Sequence, residues 1–199
     1  LSLCYNQLEG NIPLEIFDLD LDRLYLQGNY LSGQIPSEIG NLINLEELGL
    51  SDNNFTGSIP PEIGNLVNLT GWIFLSNNNL SGSIPPEIGG LVNCYSLFLH
   101  NNQLSGPLPA EIGDLTSLIR LQLDGNQISG EIPKEIGDME NLQYLGLAVN
   151  QFSGEIPEEI GNLENIKEIY LNVNQLTGEI PETIENLSNL DILYVNDNQ

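Results

Sequence analysis

Basic residues are nearly missing from this 199-residue chain, which has four Lys and Arg against 28 Asp and Glu, one His, and a formal net charge of −24. A surface this acidic repels phosphate backbones and anionic lipid headgroups, because binding to either rests on Lys and Arg displacing condensed counterions. Nucleic acid and membrane surfaces are therefore not expected partners. No apolar run approaches the ~18 residues that a bilayer-spanning helix needs, so direct membrane insertion is not expected either. Cysteine is equally sparse, with only Cys4 and Cys94. Neither these nor His100 falls in a nucleophile or metal-ligand motif, so the reading is a non-enzyme without cofactor or metal.

What the chain does have is apolar material, at 40% hydrophobic residues, together with 20 Gly and 11 Pro. That composition suits one folded unit. The Gly and Pro are periodic. Ile-Pro or Leu-Pro recurs at Pro13, Pro36, Pro60, Pro85, Pro109, Pro133, Pro157 and Pro181. A second series, the Asn closing each Leu-x-Leu-x-x-Asn, falls at Asn6, Asn29, Asn53, Asn78, Asn102, Asn126, Asn150, Asn174 and Asn198. Repeats of about 24 residues fill the chain, imply nine strands and leave no room for another domain.

One unit, Leu118 to Asp138, shows the physics. Leu118, Leu121 and Leu123 point inward, and the last two alternate at period 2, which predicts a short strand over 120–124 with one buried face. Asn126 follows where the chain turns, and its amide can satisfy backbone donors and acceptors that would otherwise be buried alone. Stacked copies predict an Asn ladder. Pro133 suits the first position of a helical turn, Glu135 sits near that turn's positive end, and Gly137 is expected to stop it.

The pattern L-x-x-L-x-L-x-x-N-x-L-[ST]-G-x-I-P-x-x-I-G-x-L resembles the leucine-rich repeat in its 24-residue plant-type subclass, found in receptor-kinase ectodomains, receptor-like proteins and polygalacturonase inhibitors. The resemblance covers essentially the whole chain. It implies an α/β repeat fold: a right-handed solenoid with a parallel concave sheet of about nine short strands and short 3₁₀ or helical turns on the convex side. Extra short strands at the L-[ST]-G segment often accompany it. It also implies an extracellular or cell-surface recognition role. The cysteine-paired caps of the plant family are missing, and Leu1 starts inside a strand. Residues 1–199 are accordingly expected to be one solenoid taken from a longer protein, with self-association through uncapped ends at Leu1, Leu3, Leu193 and Val195. Plant-type repeats also occur in bacterial and protist surface proteins.

Carboxylates are plentiful, but Glu38, Glu62, Glu87, Glu111, Glu135 and Glu159 recur at one place in the convex turn, where a helix-start and solubility role accounts for them. Asp18, Asp20 and Asp22 alternate without the Gly and distal Glu of a calcium loop. Cys94 occupies the core slot that Leu118 and Leu142 fill elsewhere. It cannot pair with Cys4, since four inter-strand steps separate their repeats by about 19 Å.

The concave face carries residues that core demand does not explain. Residues projecting from it include Arg23, Tyr25, Trp72, Phe74, Phe98, His100, Arg120, Tyr144, Tyr170 and Tyr194, and these are the candidate ligand-binding residues. Tyr, Trp and Arg dominate interface hot spots, and solenoids present extended concave surfaces. Consecutive aromatics such as Phe74 with Phe98, or Tyr170 with Tyr194, are expected to make flat platforms for a peptide side chain or a sugar ring. With so acidic a chain, a neutral or cationic protein, peptide or glycan is the favoured ligand. The 25-residue repeat holds its extra residue in Leu69–Ile73, and Gly71 beside Trp72 is read either as a bulge that re-aims the Trp or as an indel that the solenoid tolerates. Sequons stand at Asn54, Asn68, Asn79 and Asn186. Two rival functions remain. One is ice binding through the hydroxyl ladder Ser32, Thr56, Ser81, Ser105, Ser129, Ser153 and Thr177, expected one inter-strand step apart. The other is inhibition of cell-wall polygalacturonases, a special case of binding.

Overall fold

The computed structural model describes residues 1–199 as a solenoid of two parallel eight-stranded sheets, one on each side of a continuous apolar core. Each turn of chain contributes a three-residue concave strand, a second short strand at the L-[ST]-G segment and a five-residue 3₁₀ turn. In the unit read above these are Arg120–Gln122, Gln127–Gly130 and Lys134–Asp138. The chain has no α-helix, and no helix long and apolar enough to cross a membrane.

The concave strands align repeat against repeat, with Leu121 beside Leu97 on one side and Leu145 on the other. Leu118, Leu121 and Leu123 are fully buried, as are their counterparts along most of the chain. Eight strands rather than nine form this sheet. The first position is a single bridge between Ser2 and Tyr25. Leu1, Leu3, Ile180 and Tyr194, near the two ends, are among the exposed large hydrophobic residues.

The Asn ladder is built as a three-way clamp. Asn126 Nδ2 donates to Leu123 O at 2.9 Å within its own coil and to Leu99 O at 3.1 Å in the preceding one. Its Oδ1 accepts from the Leu104 N–H at 3.0 Å. The same pattern repeats at Asn53, Asn78, Asn102 and Asn150, all buried. A second ladder lies on the opposite flank, just before the first core residue of each unit. There Asn68, Asn93, Asn141, Asn165 and Asn189 each donate to a carbonyl of the previous coil at 2.8–2.9 Å.

Two local expectations are corrected. Pro133 is not the first helical residue but the extended residue before it, with φ −64° and ψ 137°, and Lys134 opens the turn. Gly137 does not stop the turn, which runs on through Asp138. Gly137 is buried, and a Cβ placed there would lie 2.4 Å from the Glu159 carbonyl oxygen of the next coil. The same interlock recurs at Gly64 against Glu87 and Gly113 against Glu135, so glycine is required there by the close approach of backbones and not by chain reversal. The convex glutamates lie in the first turn of their 3₁₀ segments.

Each coil passes through the left-handed region just before the ladder Asn, at Gly28, Asp52, Asn77, Asn101, Gly125, Val149 and Val173. Gly, Asn and Asp tolerate this; a β-branched residue does so only at a cost. Val149, with φ 55°, is half exposed and packs into no core. Val149→Asn should therefore raise stability by about 1 kcal/mol, measured by chemical denaturation, because it relieves roughly the strain of one non-glycine left-handed residue.

Candidate functional site

The concave sheet places all ten candidate residues on one surface, and its aromatics fall into two clusters. In the first, Tyr25 stacks on Trp72 at 5.2 Å between ring centroids and 14° between planes, and Trp72 stacks on Phe74 at 4.1 Å and 18°. Phe98 then meets Phe74 edge-on at 4.6 Å and 71°, and His100 meets Phe98 edge-on at 6.2 Å.

Tyr25 and Phe74 are two strands apart, with the strand Glu47–Gly49 between them. Gly49 supplies no side chain, and Gln27 and Trp72 share its slot: a Cβ on Gly49 would lie 2.5 Å from Gln27 Oε1 and 3.2 Å from Trp72 Cζ3. The extra residue of the 25-residue repeat makes this possible. Ile73 and Phe74 keep register with Leu48 and Gly49, whereas Trp72 pairs with Ser96 on one side and with nothing on the other. The chain there is a bulge, and it turns the indole one strand back along the sheet.

The second cluster holds Tyr144, Tyr170 and Tyr194. Tyr144 and Tyr170 are tilted by 35° at 5.3 Å, and Tyr170 meets Tyr194 at 5.2 Å with the rings perpendicular. The Arg120 guanidinium carbon lies 4.6 Å over the Tyr144 ring. The flat platforms expected at Phe74–Phe98 and Tyr170–Tyr194 are thus not formed. Rings one strand apart sit at a spacing where the positive edge of one meets the negative face of the other, so they turn edge-on. The near-parallel pairs are the two that involve Trp72.

Carboxylates border both clusters. Tyr25 OH donates to Glu47, and Arg23 lies 3.7 Å from Glu47 and 3.5 Å from Glu46. Tyr170 OH donates to Glu168 Oε2 at 2.8 Å, and this bond to a carboxylate, with some desolvation, pushes the phenol up to about 12. Between the clusters, Asp124 accepts from the Ala148 N–H at 3.1 Å, and burial raises its carboxyl above the usual carboxylate range. Burial lowers the His100 imidazole, whose Nδ1 is buried without a hydrogen-bond partner, as are Gln27 Oε1 and Asn172 Oδ1 in the same row of the sheet.

The remaining sequence features lie elsewhere. Cys94 is buried and desolvation pushes its thiol up to about 12; Cys4 and Cys94 are both free. Asp18, Asp20 and Asp22 do not converge on a common point, and Asp20 is taken by the Asn44 amide at 2.9 Å. The four sequon asparagines are exposed, with the Asn68 amide bonded to Ile43 O. The hydroxyl ladder is not one inter-strand step apart. In the second sheet Ser129 lies beside Gln151 and Ser153 beside Gln175, so register slips by two residues per coil. Consecutive hydroxyls are then displaced by about 8 Å on a diagonal. A depression on the opposite flank is lined by no hydrophobic residue, and its Asn141, Asn165 and Asn189 are already bonded to carbonyls. Sequence reasoning missed the way Gly49 makes room for Trp72, which the pairing of a glycine with the one irregular repeat could have suggested.

The family model for the Leucine Rich Repeat matches seven times, at residues 20–42, 44–66, 72–91, 93–115, 117–139, 141–163 and 165–187. Among solved structures, the chain is similar to the ectodomain of the Arabidopsis thaliana receptor kinase GASSHO1/SCHENGEN3, solved with CASPARIAN STRIP INTEGRITY FACTOR 2, at 39% identity and a TM-score of 0.97 over 100% of this chain and 24% of that one. It is also similar to the Arabidopsis receptor kinase HAESA in complex with the peptide hormone IDA and the co-receptor SERK1, at 35% identity and a TM-score of 0.93 over 100% of this chain and 33% of that one. A plant ice-binding protein is 28% identical with a TM-score of 0.71, over 98% of this chain and 72% of that one. The chain thus spans about a quarter to a third of the length of the two receptor chains. No curated protein sequence matches.

Proposed function

The chain belongs to the leucine-rich-repeat family, and from that premise we propose that it is a non-catalytic, extracellular recognition module that binds an extended peptide segment along its concave face. The observation that carries this reading is the seven-aromatic strip. These residues face away from the core, on a sheet whose other side already buries its apolar residues, so folding does not call for them. Two similar structures are receptor ectodomains or receptor kinases solved with ligands, and one of those ligands is a peptide hormone.

A peptide suits the ring geometry better than a glycan. A sugar stacks on an open aromatic face, whereas Trp72 has one face against Tyr25 and the other against Phe74. The strip therefore offers ring edges and the gaps between them, which suit carbonyls and apolar side chains. Ice binding is the second reading, favoured by the ice-binding relative and the surface hydroxyls. The two-residue slip between hydroxyls counts against a closely spaced array, and a thermal-hysteresis measurement decides it.

Trp72 is the only tryptophan, so its emission reports on the first cluster directly. Titration of the chain with a library of synthetic peptides should give saturable changes in Trp72 fluorescence for a subset that is neutral or cationic. A library without any saturating member, beside measurable thermal hysteresis, would overturn the peptide reading in favour of ice.

A further inference from the structure

The two aromatic clusters differ in what they still lack. In the first, the carboxylate that borders the rings, Glu47, already has a cation in Arg23. In the second, Glu168 accepts from Tyr170 and has no cation: both ion pairs of the chain belong to Arg23. The other basic side chains are placed elsewhere. Lys167 donates to Gln143 Oε1 at 3.0 Å, Lys134 opens a convex 3₁₀ turn, and Arg120 covers Tyr144.

We propose that the corner between Tyr170 and Tyr194, with Glu168 beside it, is a subsite for a cationic side chain of the bound peptide, a guanidinium or an ammonium. This rests on the concave-face reading and adds a ligand chemistry to it. Four observations support it. Arg120 over Tyr144 shows that a ring of this cluster already holds a guanidinium at cation–π distance. The rings of Tyr170 and Tyr194 stand perpendicular at 5.2 Å, which makes a corner with two walls. A phenol that donates to a carboxylate is polarised toward phenolate, and the ring face becomes richer in electrons; the raised proton affinity of Tyr170 has this same cause. The net charge of −24 attracts cations at long range, and Glu168 with half-buried Asp124 gives that attraction a local focus. The two clusters are also separated. Trp72 and Tyr170 lie four strand steps apart, about 19 Å, which an extended peptide spans in about six residues.

The test uses the whole 199-residue chain with ¹³C-labelled tyrosine rings, which gives seven reporters. N-acetyl-arginine amide is titrated against its neutral isostere N-acetyl-citrulline amide at constant ionic strength. The expected result is a saturable shift of the Tyr170 and Tyr194 signals with the arginine compound, absent with citrulline. Tyr5, Tyr30 and Tyr95, which are exposed outside the face, stay still. Glu168→Gln and Tyr194→Ala should each weaken the apparent affinity about threefold, the scale of a surface cation–π contact. Equal shifts with citrulline, equal shifts at all seven tyrosines, or no shift at all would overturn the subsite. A peptide that saturates Trp72 fluorescence while arginine leaves Tyr170 unmoved would remove the cationic subsite and leave the concave-face reading standing.

Discussion

Asn126→Ala should cost about 4 kcal/mol of stability. The substitution strands the buried N–H of Leu104, at roughly 1–3 kcal/mol, and removes one of two amides from each of the Leu99 and Leu123 carbonyls, which keep Asn102 and Asn150, at about 0.5–1.5 kcal/mol each. Asn126 is buried between two coils. Because the clamp joins Leu99 to Leu123, the loss also loosens the contact between repeats on which a solenoid depends. Urea unfolding measures it, with exposed Gln127→Ala as the control, expected within about 0.5 kcal/mol of the parent. An Asn126→Ala chain as stable as that control would contradict the ladder.

Gly137→Ala is the second large effect, and its sign is opposite to the usual one. Where space allows, Gly→Ala stabilises by about 0.4–1 kcal/mol through the unfolded chain. Here the new Cβ would lie 2.4 Å from the Glu159 carbonyl oxygen and 2.8 Å from Glu159 Cβ, so whole coils must move apart. A loss of about 2–3 kcal/mol is expected, the scale of overpacking in a well-packed interior. The same unfolding assay reads it, and a stabilised Gly137→Ala would show that the coils are not interlocked at this point.

The repeat was legible because it follows from period alone. Leu121 and Leu123 alternate, Asn126 closes the turn, and both features recur at a spacing that no other architecture needs. The concave placement of Tyr25, Phe74, Phe98, Tyr170 and Tyr194 followed from that alternation. What did not follow was anything set by contact between coils. Gly137 looks like a stop in one repeat and is a spacer between two. Trp72 sits beside a glycine in its own strand, yet the glycine that positions its ring is Gly49, one strand away. Ring orientation was equally hidden, since the edge-on meeting of Tyr170 and Tyr194 depends on two side chains at once. The two-residue slip of Ser129 against Gln151 arises in the second sheet, whose pairing the repeat length does not reveal.

The central claim, that the concave aromatic strip binds the ligand, is tested most directly by one comparison of affinities for a peptide that saturates Trp72. Phe98→Ala and Tyr170→Ala are set against the convex substitutions Glu87→Ala and Glu111→Ala. The account requires a loss of ~2 kcal/mol or more in binding from each concave change, with affinity unchanged by the convex ones. Concave variants that bind like the parent while the convex variants do not would contradict it.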